Sequence, residues 1–291
     1  MAEESIRSVC KINLFLQVTG RRSDGYHTLY TLFLPVNELF DTINCDLESA
    51  PGIDVVSSVS DVPSGGGNII CKAAELYAER SGIVPSWRFV LDKKIPVAAG
   101  LGGGSSNAAC VLKALNNKYK AFTEEELMLL ASGIGADVPF FLKGVPSWAE
   151  GVGDKLFPLD NVLAPLYIVL VNPGFPVGVR WSYSKLDPNS FLPADRSSAA
   201  KLTAALISGD IPQAAKLCRN DLGGALWKKF PLLDALKNSM LSAGADAVQI
   251  SGSGPTLFGV CRSAEVQKAV AEQVRTKFSA HSGMRVFECA V

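Results

Sequence analysis

Apolar residues in the first half of the chain recur with two spacings, one typical of strands and one typical of helices. Short runs rich in Phe, Leu, Val and Ile predict strands over residues 6–18, 29–36, 39–47 and 87–91. Helical spacing, with Asn68 as a suitable N-cap residue, predicts a helix that ends near Arg80. The segment Thr123-Glu124-Glu125-Glu126 matches a capping box and predicts another helix, which ends at Gly133.

The second half has a different rhythm, with more helices between short strands. Helical spacing covers residues 199–207, 213–221, 232–243 and 264–278. Apolar runs predict strands over residues 166–171, 248–251, 256–261 and 284–290, and a hairpin over residues 147–156. Strands grouped with helices on one side indicate the α+β class. We expect an N-terminal domain over residues 1–158 and a C-terminal domain over residues 159–291.

A glycine-rich segment lies between the predicted strand at 87–91 and a helix pattern over residues 105–119. It consists of Pro96, Val97, Ala98, Ala99, Gly100, Leu101, Gly102, Gly103, Gly104, Ser105 and Ser106. Glycine permits positive φ and lets a bulky anion approach the backbone N–H groups closely. A helix start adds N–H donors and a partial positive charge. The segment therefore predicts a phosphate-binding loop, and the alternative is a glycine-rich turn without a ligand.

This loop differs from the two commoner phosphate-binding sequences. A Walker loop needs Gly-Lys-Ser/Thr, and no Gly-Lys pair occurs in the chain. The dinucleotide pattern G-x-G-x-x-G, counted from Gly100, needs a third glycine where Ser105 stands. A nucleotide-phosphate loop of a third kind is the better description.

The composition is that of a globular protein, because 48% of the 291 residues are hydrophobic and 19% are charged. The 28 basic residues balance the 28 acidic ones, which argues against nucleic acid or an acidic membrane surface as a partner. The seven scattered cysteines form no C-x-x-C pair, which indicates a reducing compartment. The start of the sequence lacks a signal-peptide pattern, and no apolar stretch is long enough to span a bilayer. We expect a cytoplasmic protein.

Three separated motifs together resemble the GHMP kinase superfamily, which includes galactokinase, homoserine kinase and mevalonate kinase. They are Lys11-Ile12-Asn13-Leu14, the loop at residues 96–106, and Ser251-Gly252-Ser253-Gly254-Pro255. Two further segments, Asp24-Gly25-Tyr26-His27 and Gly135-Ala136-Asp137-Val138, are similar to members that act on a cytidine diphosphate derivative in isoprenoid precursor biosynthesis. The resemblance extends over essentially the whole chain.

The resemblance implies an ATP-dependent transfer of the γ-phosphoryl group to a tertiary hydroxyl of a small-molecule substrate. It also implies two α+β domains with the active site in the cleft between them, in a monomer or weak homodimer. ATP is expected as its complex with Mg²⁺, and no carboxylate cluster marks a dedicated metal site. The alternatives are another superfamily kinase, of the homoserine or mevalonate type, and an RNA-binding module, which the balanced charge disfavours.

The family match places the catalytic residues at Lys11 and Asp137. A positioned carboxylate at Asp137 can accept the proton of the alcohol, and the Lys11 ammonium can offset charge on the transferred group. From the sequence alone, Asp137 could instead be a turn residue that caps a helix, and Lys11 a solvated lysine on an edge strand. Asn13 points to the same strand face as Lys11, so it could hydrogen-bond the substrate diol.

The resemblance assigns residues 96–106 to the ATP phosphates, and Tyr26 and His27 to the cytosine. A flat ring can stack on the base, and a side chain with donors and acceptors can recognise its edge. The alternative is that Tyr26 is a turn aromatic and His27 a surface residue.

Three other segments have two interpretations or depart from the family. Gly252, Ser253 and Gly254 line the substrate phosphates or form a tight hairpin. Lys93 and Lys94 neutralise phosphate or are a solvated pair. The family often has Val-Ser-Thr where this chain has Val177-Gly178-Val179, which puts any hydroxyl contact from that segment in doubt.

Overall fold

The computed structural model describes residues 4–60, 62–63, 65–159 and 163–291, and its chain forms two compact units. Unit 1 comprises Met1–Cys10, Leu39–Val97 and Gly102–Val145. Unit 2 comprises Lys11–Glu38, Ala98–Leu101 and Pro146–Val291. The units are built from interleaved segments, so the division into domains over residues 1–158 and 159–291 stays a prediction.

Two long strands, β1 (Glu4–Arg21) and β2 (His27–Asp46), each contribute residues to both units. Every residue of β1 from Cys10 to Val18 is buried, and the stretch includes the polar residues Lys11, Asn13 and Gln17. The prediction of separate strands over 29–36 and 39–47 is wrong, because β2 is continuous. The exposed pair Asn37 and Glu38 interrupts the apolar pattern without breaking the extended backbone.

Unit 1 contains a small sheet and a layer of helices. Strand β3 (Gly52–Ser57) pairs in parallel with β4 (Ser86–Asp92), and β4 pairs antiparallel with the unit 1 part of β2. The α-helices found in the described part of this unit are α1 (Ile69–Ser81), α2 (Gly103–Tyr119), α3 (Glu124–Ile134) and α4 (Val138–Lys143). Helix α1 packs against α2, which in turn packs against α4. The buried rings of Trp87 and Phe89 on β4 are part of the core.

Local capping chemistry fixes two of these helices where the sequence predicts them. The Asn68 side chain accepts a hydrogen bond from the backbone N–H of Ile70 at 2.9 Å. The reciprocal bonds between Thr123 and Glu126 form the predicted capping box at the start of α3. Helix α2 begins at Gly103, two residues earlier than predicted, because Gly102 in the left-handed region ends the loop (φ 71°).

Unit 2 combines the other part of the long strands with a second sheet. The predicted hairpin is confirmed as β5 (Ser147–Glu150) and β6 (Lys155–Pro158), and β5 pairs with β2. The second sheet has the order β11-β7-β10-β9, all antiparallel. Its strands are β7 (Tyr167–Asn172), β9 (Ala247–Ile250), β10 (Leu257–Cys261) and β11 (Arg285–Ala290).

Among the described residues, six α-helices belong to unit 2, together with the short strand β8 (Arg219–Asn220), which pairs in parallel with β1. They are α5 (Val179–Tyr183), α6 (Arg196–Ser208), α7 (Ile211–Leu217), α8 (Gly223–Lys229), α9 (Pro231–Ser242) and α10 (Ala264–Lys277). The predicted helix over residues 213–221 is wrong beyond residue 217, because the next residues join the edge of β1. Leu226, Leu236 and Val270 form part of the apolar core beside the second sheet.

The predicted α+β class is confirmed by this mixture of sheets and segregated helices. Within the described ranges, no helix is both long enough and apolar enough to cross a bilayer.

Candidate active site

The glycine-rich loop belongs to unit 2 over residues 98–101, and there its carbonyl groups are all bonded to protein. The Val177 N–H donates to the Ala98 carbonyl at 3.2 Å, and the Thr256 N–H donates to the Ala99 carbonyl at 3.3 Å. The Ser251 hydroxyl donates to the Gly100 carbonyl at 2.9 Å, and the Lys11 N–H donates to the Leu101 carbonyl at 3.0 Å. Ala98 takes a positive φ of 49°, which is unusual for a residue other than glycine. The turn is therefore fixed by its surroundings.

Packing explains the glycine at position 100. Its φ is +77°, and a Cβ there would lie 2.0 Å from the carbonyl oxygen of Ser251. No side chain fits this contact without a shift of backbone. Gly100 is therefore required by the fold of unit 2, whatever ligand the loop binds.

The loop re-enters unit 1 at Gly102, where α2 begins. The first intrahelical bond runs from the Ser106 N–H to the Gly102 carbonyl at 2.9 Å. The N–H groups of Gly102, Gly103, Gly104 and Ser105 therefore have no partner within the helix. Gly104 is exposed at this helix start, and a Cβ there would meet only Ile69, at 3.6 Å. This is the geometry of an anion-binding helix N-terminus.

Gly103 is a glycine for a different reason from Gly104. A Cβ at Gly103 would lie 2.8 Å from the ammonium nitrogen of Lys93 and 2.9 Å from Cγ2 of Ile95. The side chain of Lys93 is 6% exposed and is paired with the carboxylate of Asp41. The interpretation of Lys93 as a solvated lysine is therefore wrong, whereas Lys94 lies at the surface beside Asp92.

Asp41 is a buried carboxylate that the sequence analysis missed. Its side chain is 0% exposed and accepts four hydrogen bonds. The donors are the Lys93 ammonium, the Lys94 N–H at 2.8 Å, the Ile95 N–H at 2.8 Å and the Asn107 amide at 2.9 Å. The same Asn107 amide donates to Ser8, whose hydroxyl donates to Ser106 at 2.8 Å. This network ties the first turns of α2 to β1, β2 and the segment that leads into the loop.

Asp137 occupies the N-cap position of α4, but its side chain makes no capping hydrogen bond. The interpretation of this aspartate as a side-chain cap is therefore wrong. Within unit 1, the loop that carries it approaches the start of α2, since a Cβ at Gly135 would lie 3.9 Å from the Ser105 hydroxyl. The structure thus brings the half-buried Asp137 segment beside Ser105 of the glycine loop.

Lys11 lies in the interior of unit 2 and is 4% exposed, so the interpretation as a solvated lysine is wrong. Its ammonium donates to Oδ1 of Asn13 at 2.5 Å and lies 5.1 Å from the centroid of the Phe33 ring. Nδ2 of Asn13 donates to the Thr31 hydroxyl at 2.9 Å. Asn13 is therefore engaged at both ends of its amide, and a contact with a substrate diol stays a prediction.

The second glycine turn lies against this pair within unit 2. A Cβ at Gly252 would lie 3.2 Å from Oδ1 of Asn13 and 3.3 Å from the Lys11 ammonium. The turn connects the antiparallel strands β9 and β10, as the hairpin interpretation requires. Two side chains that the sequence analysis missed hold it: the Asn220 amide donates to the Gly252 carbonyl at 2.8 Å, and the Ser182 hydroxyl to the Ser253 carbonyl at 2.9 Å.

Tyr26 and His27 lie at the start of β2 with different environments. Tyr26 is 64% exposed, whereas His27 is half-buried and stacks on Tyr183 with 5.0 Å between ring centroids. Phe191 meets the His27 ring edge-on at 5.9 Å. Burial, with a smaller effect of the Arg21 charge, lowers the pKa of His27 below its usual 6.5, so its imidazole is neutral at pH 7. Tyr183 and Phe191 could not be predicted as partners of His27, because they are distant from it in sequence.

No group of three or more His, Cys, Asp or Glu residues within the described ranges is arranged to hold a metal ion.

Comparisons with known proteins agree with this geometry. The family model of the GHMP kinases N terminal domain matches residues 68–145, and that of the GHMP kinases C terminal domain matches residues 202–280. The chain is 39% identical to the 4-diphosphocytidyl-2-C-methyl-D-erythritol kinase of Syntrophotalea carbinolica, covering 98% of this chain and 97% of that protein. It is 36% identical to the enzyme of the same name from Geobacter sulfurreducens, covering 95% of this chain and 96% of that one.

Solved structures give the same result. A crystal structure of 4-(cytidine 5'-diphospho)-2C-methyl-D-erythritol kinase matches with a TM-score of 0.82 and 36% identity, covering 99% of this chain and 98% of that one. The homoserine kinase from Cytophaga hutchinsonii shares the fold, with a TM-score of 0.75 at 21% identity over 99% of this chain and 96% of that one. The chain therefore belongs to the 4-diphosphocytidyl-2-C-methyl-D-erythritol kinase family of the GHMP kinases, enzymes that transfer a phosphoryl group to an alcohol.

Proposed function

We propose that the protein uses ATP to phosphorylate the 2-hydroxyl of 4-diphosphocytidyl-2-C-methyl-D-erythritol, a step of non-mevalonate isoprenoid precursor biosynthesis. The relatives named above support the choice of substrate. The observation that carries the chemistry is the start of α2, where N–H groups without helical partners surround the exposed Gly104. A kinase must hold a triphosphate, and such a helix N-terminus is suited to it.

In this proposal, residues 96–106 bind the ATP phosphates with two different parts. The amides of Gly102, Gly103, Gly104 and Ser105 donate to phosphate oxygens. The segment at residues 98–101 fixes the shape of the turn, because its carbonyl groups accept hydrogen bonds from other residues of unit 2. The Ser106 hydroxyl, buried against Ser8, supports the loop from below.

Asp137 acts as the general base. Its carboxylate accepts the proton of the substrate hydroxyl while the hydroxyl oxygen attacks the γ-phosphorus of ATP, and ADP leaves with the electron pair of the broken bond. The segment that carries Asp137 lies beside the start of α2, because a Cβ at Gly135 would lie 3.9 Å from the Ser105 hydroxyl, and this placement supports the role. Lys11, held by Asn13, offsets the negative charge that develops on the transferred group.

Mg²⁺ would enter with ATP and neutralise charge on the phosphates when bound. The chain offers few ligands for it, since the described residues contain no acidic or histidine cluster. Ser105, half-buried at the start of α2, is the side chain we propose to face the cation.

Tyr26 and His27 bind the cytosine. The exposed Tyr26 ring offers a face for stacking, and the neutral His27 offers one donor and one acceptor to the base edge. The stack of His27 on Tyr183 fixes the orientation of the imidazole, which supports this role. A cytoplasmic location, a monomer or weak homodimer, and the absence of a nucleic-acid partner stay predictions.

The test is an ADP-release assay with the purified protein, ATP and one alcohol at a time. We expect turnover with 4-diphosphocytidyl-2-C-methyl-D-erythritol and none with mevalonate or homoserine. Turnover with mevalonate or homoserine but not with 4-diphosphocytidyl-2-C-methyl-D-erythritol would show that the proposed substrate is wrong. Salt-sensitive RNA binding without ATP turnover would replace the enzymatic function altogether.

A further inference from the structure

We infer that Thr31 is a positioning residue, which orients the Asn13 amide so that its oxygen faces the Lys11 ammonium. The inference rests on the proposed role of Lys11 in phosphoryl transfer. It concerns three buried side chains of unit 2, with exposures of 4% for Lys11, 2% for Asn13 and 0% for Thr31. Neither composition nor motif spacing assigns a function to Thr31.

Hydrogen-bond polarity fixes the direction of this chain of contacts. An ammonium can only donate, so the Asn13 atom at 2.5 Å from Lys11 must be the amide oxygen. The Asn13 NH₂ group then faces Thr31 and donates to its hydroxyl oxygen at 2.9 Å. The Thr31 hydroxyl donates in turn to the Phe15 carbonyl at 2.6 Å, which can only accept. Each group has one possible role, and the series starts from a backbone carbonyl of β1.

The hydroxyl of Thr31 therefore determines which end of the Asn13 amide faces Lys11, because it accepts a hydrogen bond from the NH₂ group. Without it, the NH₂ group of Asn13 is buried with no acceptor at this position. A flipped amide would place NH₂ against the Lys11 ammonium, where two donors meet. Either outcome weakens the acceptor that holds the ammonium in place.

The surroundings leave Asn13 little room to find another partner. A Cβ at Gly252 would lie only 3.2 Å from Oδ1 of Asn13, so the second glycine turn closes that side. Thr31 itself pairs with Ala149 of β5 in the sheet, so its backbone is fixed. A change at Thr31 therefore acts on Asn13 and Lys11 rather than on a mobile surface.

Two substitutions separate the hydroxyl from the shape of the side chain. Thr31→Val keeps the branched shape and removes the hydroxyl, whereas Thr31→Ser keeps the hydroxyl and removes a methyl group. Thr203→Val is the matched control, because the Thr203 hydroxyl accepts a bond from the Trp148 indole at 3.0 Å elsewhere in unit 2. Circular dichroism and thermal unfolding of each variant report whether it folds.

We expect Thr31→Val to lower kcat on the order of 10- to 100-fold while the KM for ATP changes less than about twofold. Thr31→Ser and Thr203→Val retain a kcat close to that of the wild type. In a Lys11→Met background, adding Thr31→Val causes no further loss, because Thr31 acts through Lys11. If Thr31→Val does not fold, Thr31→Ala replaces it in the comparison with Thr31→Ser.

A wild-type kcat for the variant without the hydroxyl would overturn the inference. So would an equal loss in Thr31→Ser, or losses in the double variant that multiply as for independent residues. A Lys11→Met enzyme that keeps the wild-type kcat would instead refute the proposed role of Lys11. The two failures are therefore distinguishable.

Discussion

Replacement of Gly104 by alanine separates a loop that binds phosphate from a loop that is merely rich in glycine. Gly104 lies exposed in the first turn of α2, with a helical φ. The added Cβ would meet only Cγ2 of Ile69 at 3.6 Å, which is ordinary van der Waals contact. Alanine is favoured over glycine within helices by up to about 1 kcal/mol. The fold of Gly104→Ala should therefore be as stable as the wild type or slightly more stable.

ATP binding should respond in the opposite direction. A methyl group at Gly104 keeps phosphate oxygens away from the N–H groups at the start of α2. Loss of a hydrogen bond to a charged group costs about 1.5–3 kcal/mol. This corresponds to a roughly 10- to 150-fold rise in the dissociation constant of ATP. Gly103→Val would be a poorer test, because its side chain would collide with Lys93 and Ile95 and disturb the fold as well.

The assay is a titration with a non-hydrolysable ATP analogue, beside thermal unfolding of the same samples. Gly133→Ala is the matched control, since Gly133 is an exposed glycine of α3 whose Cβ would meet only Leu76, at 4.0 Å. It should leave nucleotide affinity unchanged, and neither variant should lower the Tm. Unchanged affinity in a folded Gly104→Ala protein would refute the assignment of this helix start to the phosphates.

Three other predictions follow from buried groups. Asp41→Asn should lower the free energy of unfolding measured in urea by about 3–5 kcal/mol, because it leaves the Lys93 ammonium buried without its carboxylate. Asp54→Asn, at an exposed aspartate, should have little effect, and similar losses in both variants would contradict this reasoning. In NMR titrations the His27 signal, identified by its absence in His27→Gln, should have a midpoint below pH 6.5. The contribution of the neutral ring to the stability of the fold is then fully present above pH 6.5 and is lost as the pH falls through the lowered pKa. A midpoint at or above pH 6.5 would contradict the role of burial. Burial raises the pKa of three thiols, those of Cys218, Cys261 and Cys289, to about 12. Iodoacetamide at pH 8 should therefore label them only after unfolding, and labelling of any of the three in the native protein, detected by mass spectrometry, would contradict this prediction.

Features that depend on neighbours in sequence could be predicted from the sequence. The capping interactions of Asn68 and Thr123 are formed by residues two or three positions away, and both helices begin as expected. The glycine loop and the strand that follows Thr256 are also local patterns. The helix predicted over residues 213–221 is wrong beyond residue 217, because Arg219 and Asn220 pair with Phe15 and Leu16 of β1. Those partners are distant in sequence, so helical spacing alone could not reveal the pairing.

Features that depend on distant residues could not be predicted. The sequence marks Gly100 and Gly103 as equivalent members of a loop, but the first is constrained by Ser251 and the second by Lys93. The burial of Asp41 is decided by four donors from two other segments. An aspartate within an apolar strand was nevertheless a usable signal, because carboxylates are seldom buried unless they are paired.

The proposed removal of the alcohol proton by Asp137 is tested most directly by single-turnover kinetics of Asp137→Asn. Asparagine preserves the size of the side chain but cannot accept the proton as a base. We expect the rate of phosphoryl transfer to fall roughly 100- to 10,000-fold while the affinity for the ATP analogue changes less than about twofold. Transfer at the wild-type rate in the asparagine variant would contradict it.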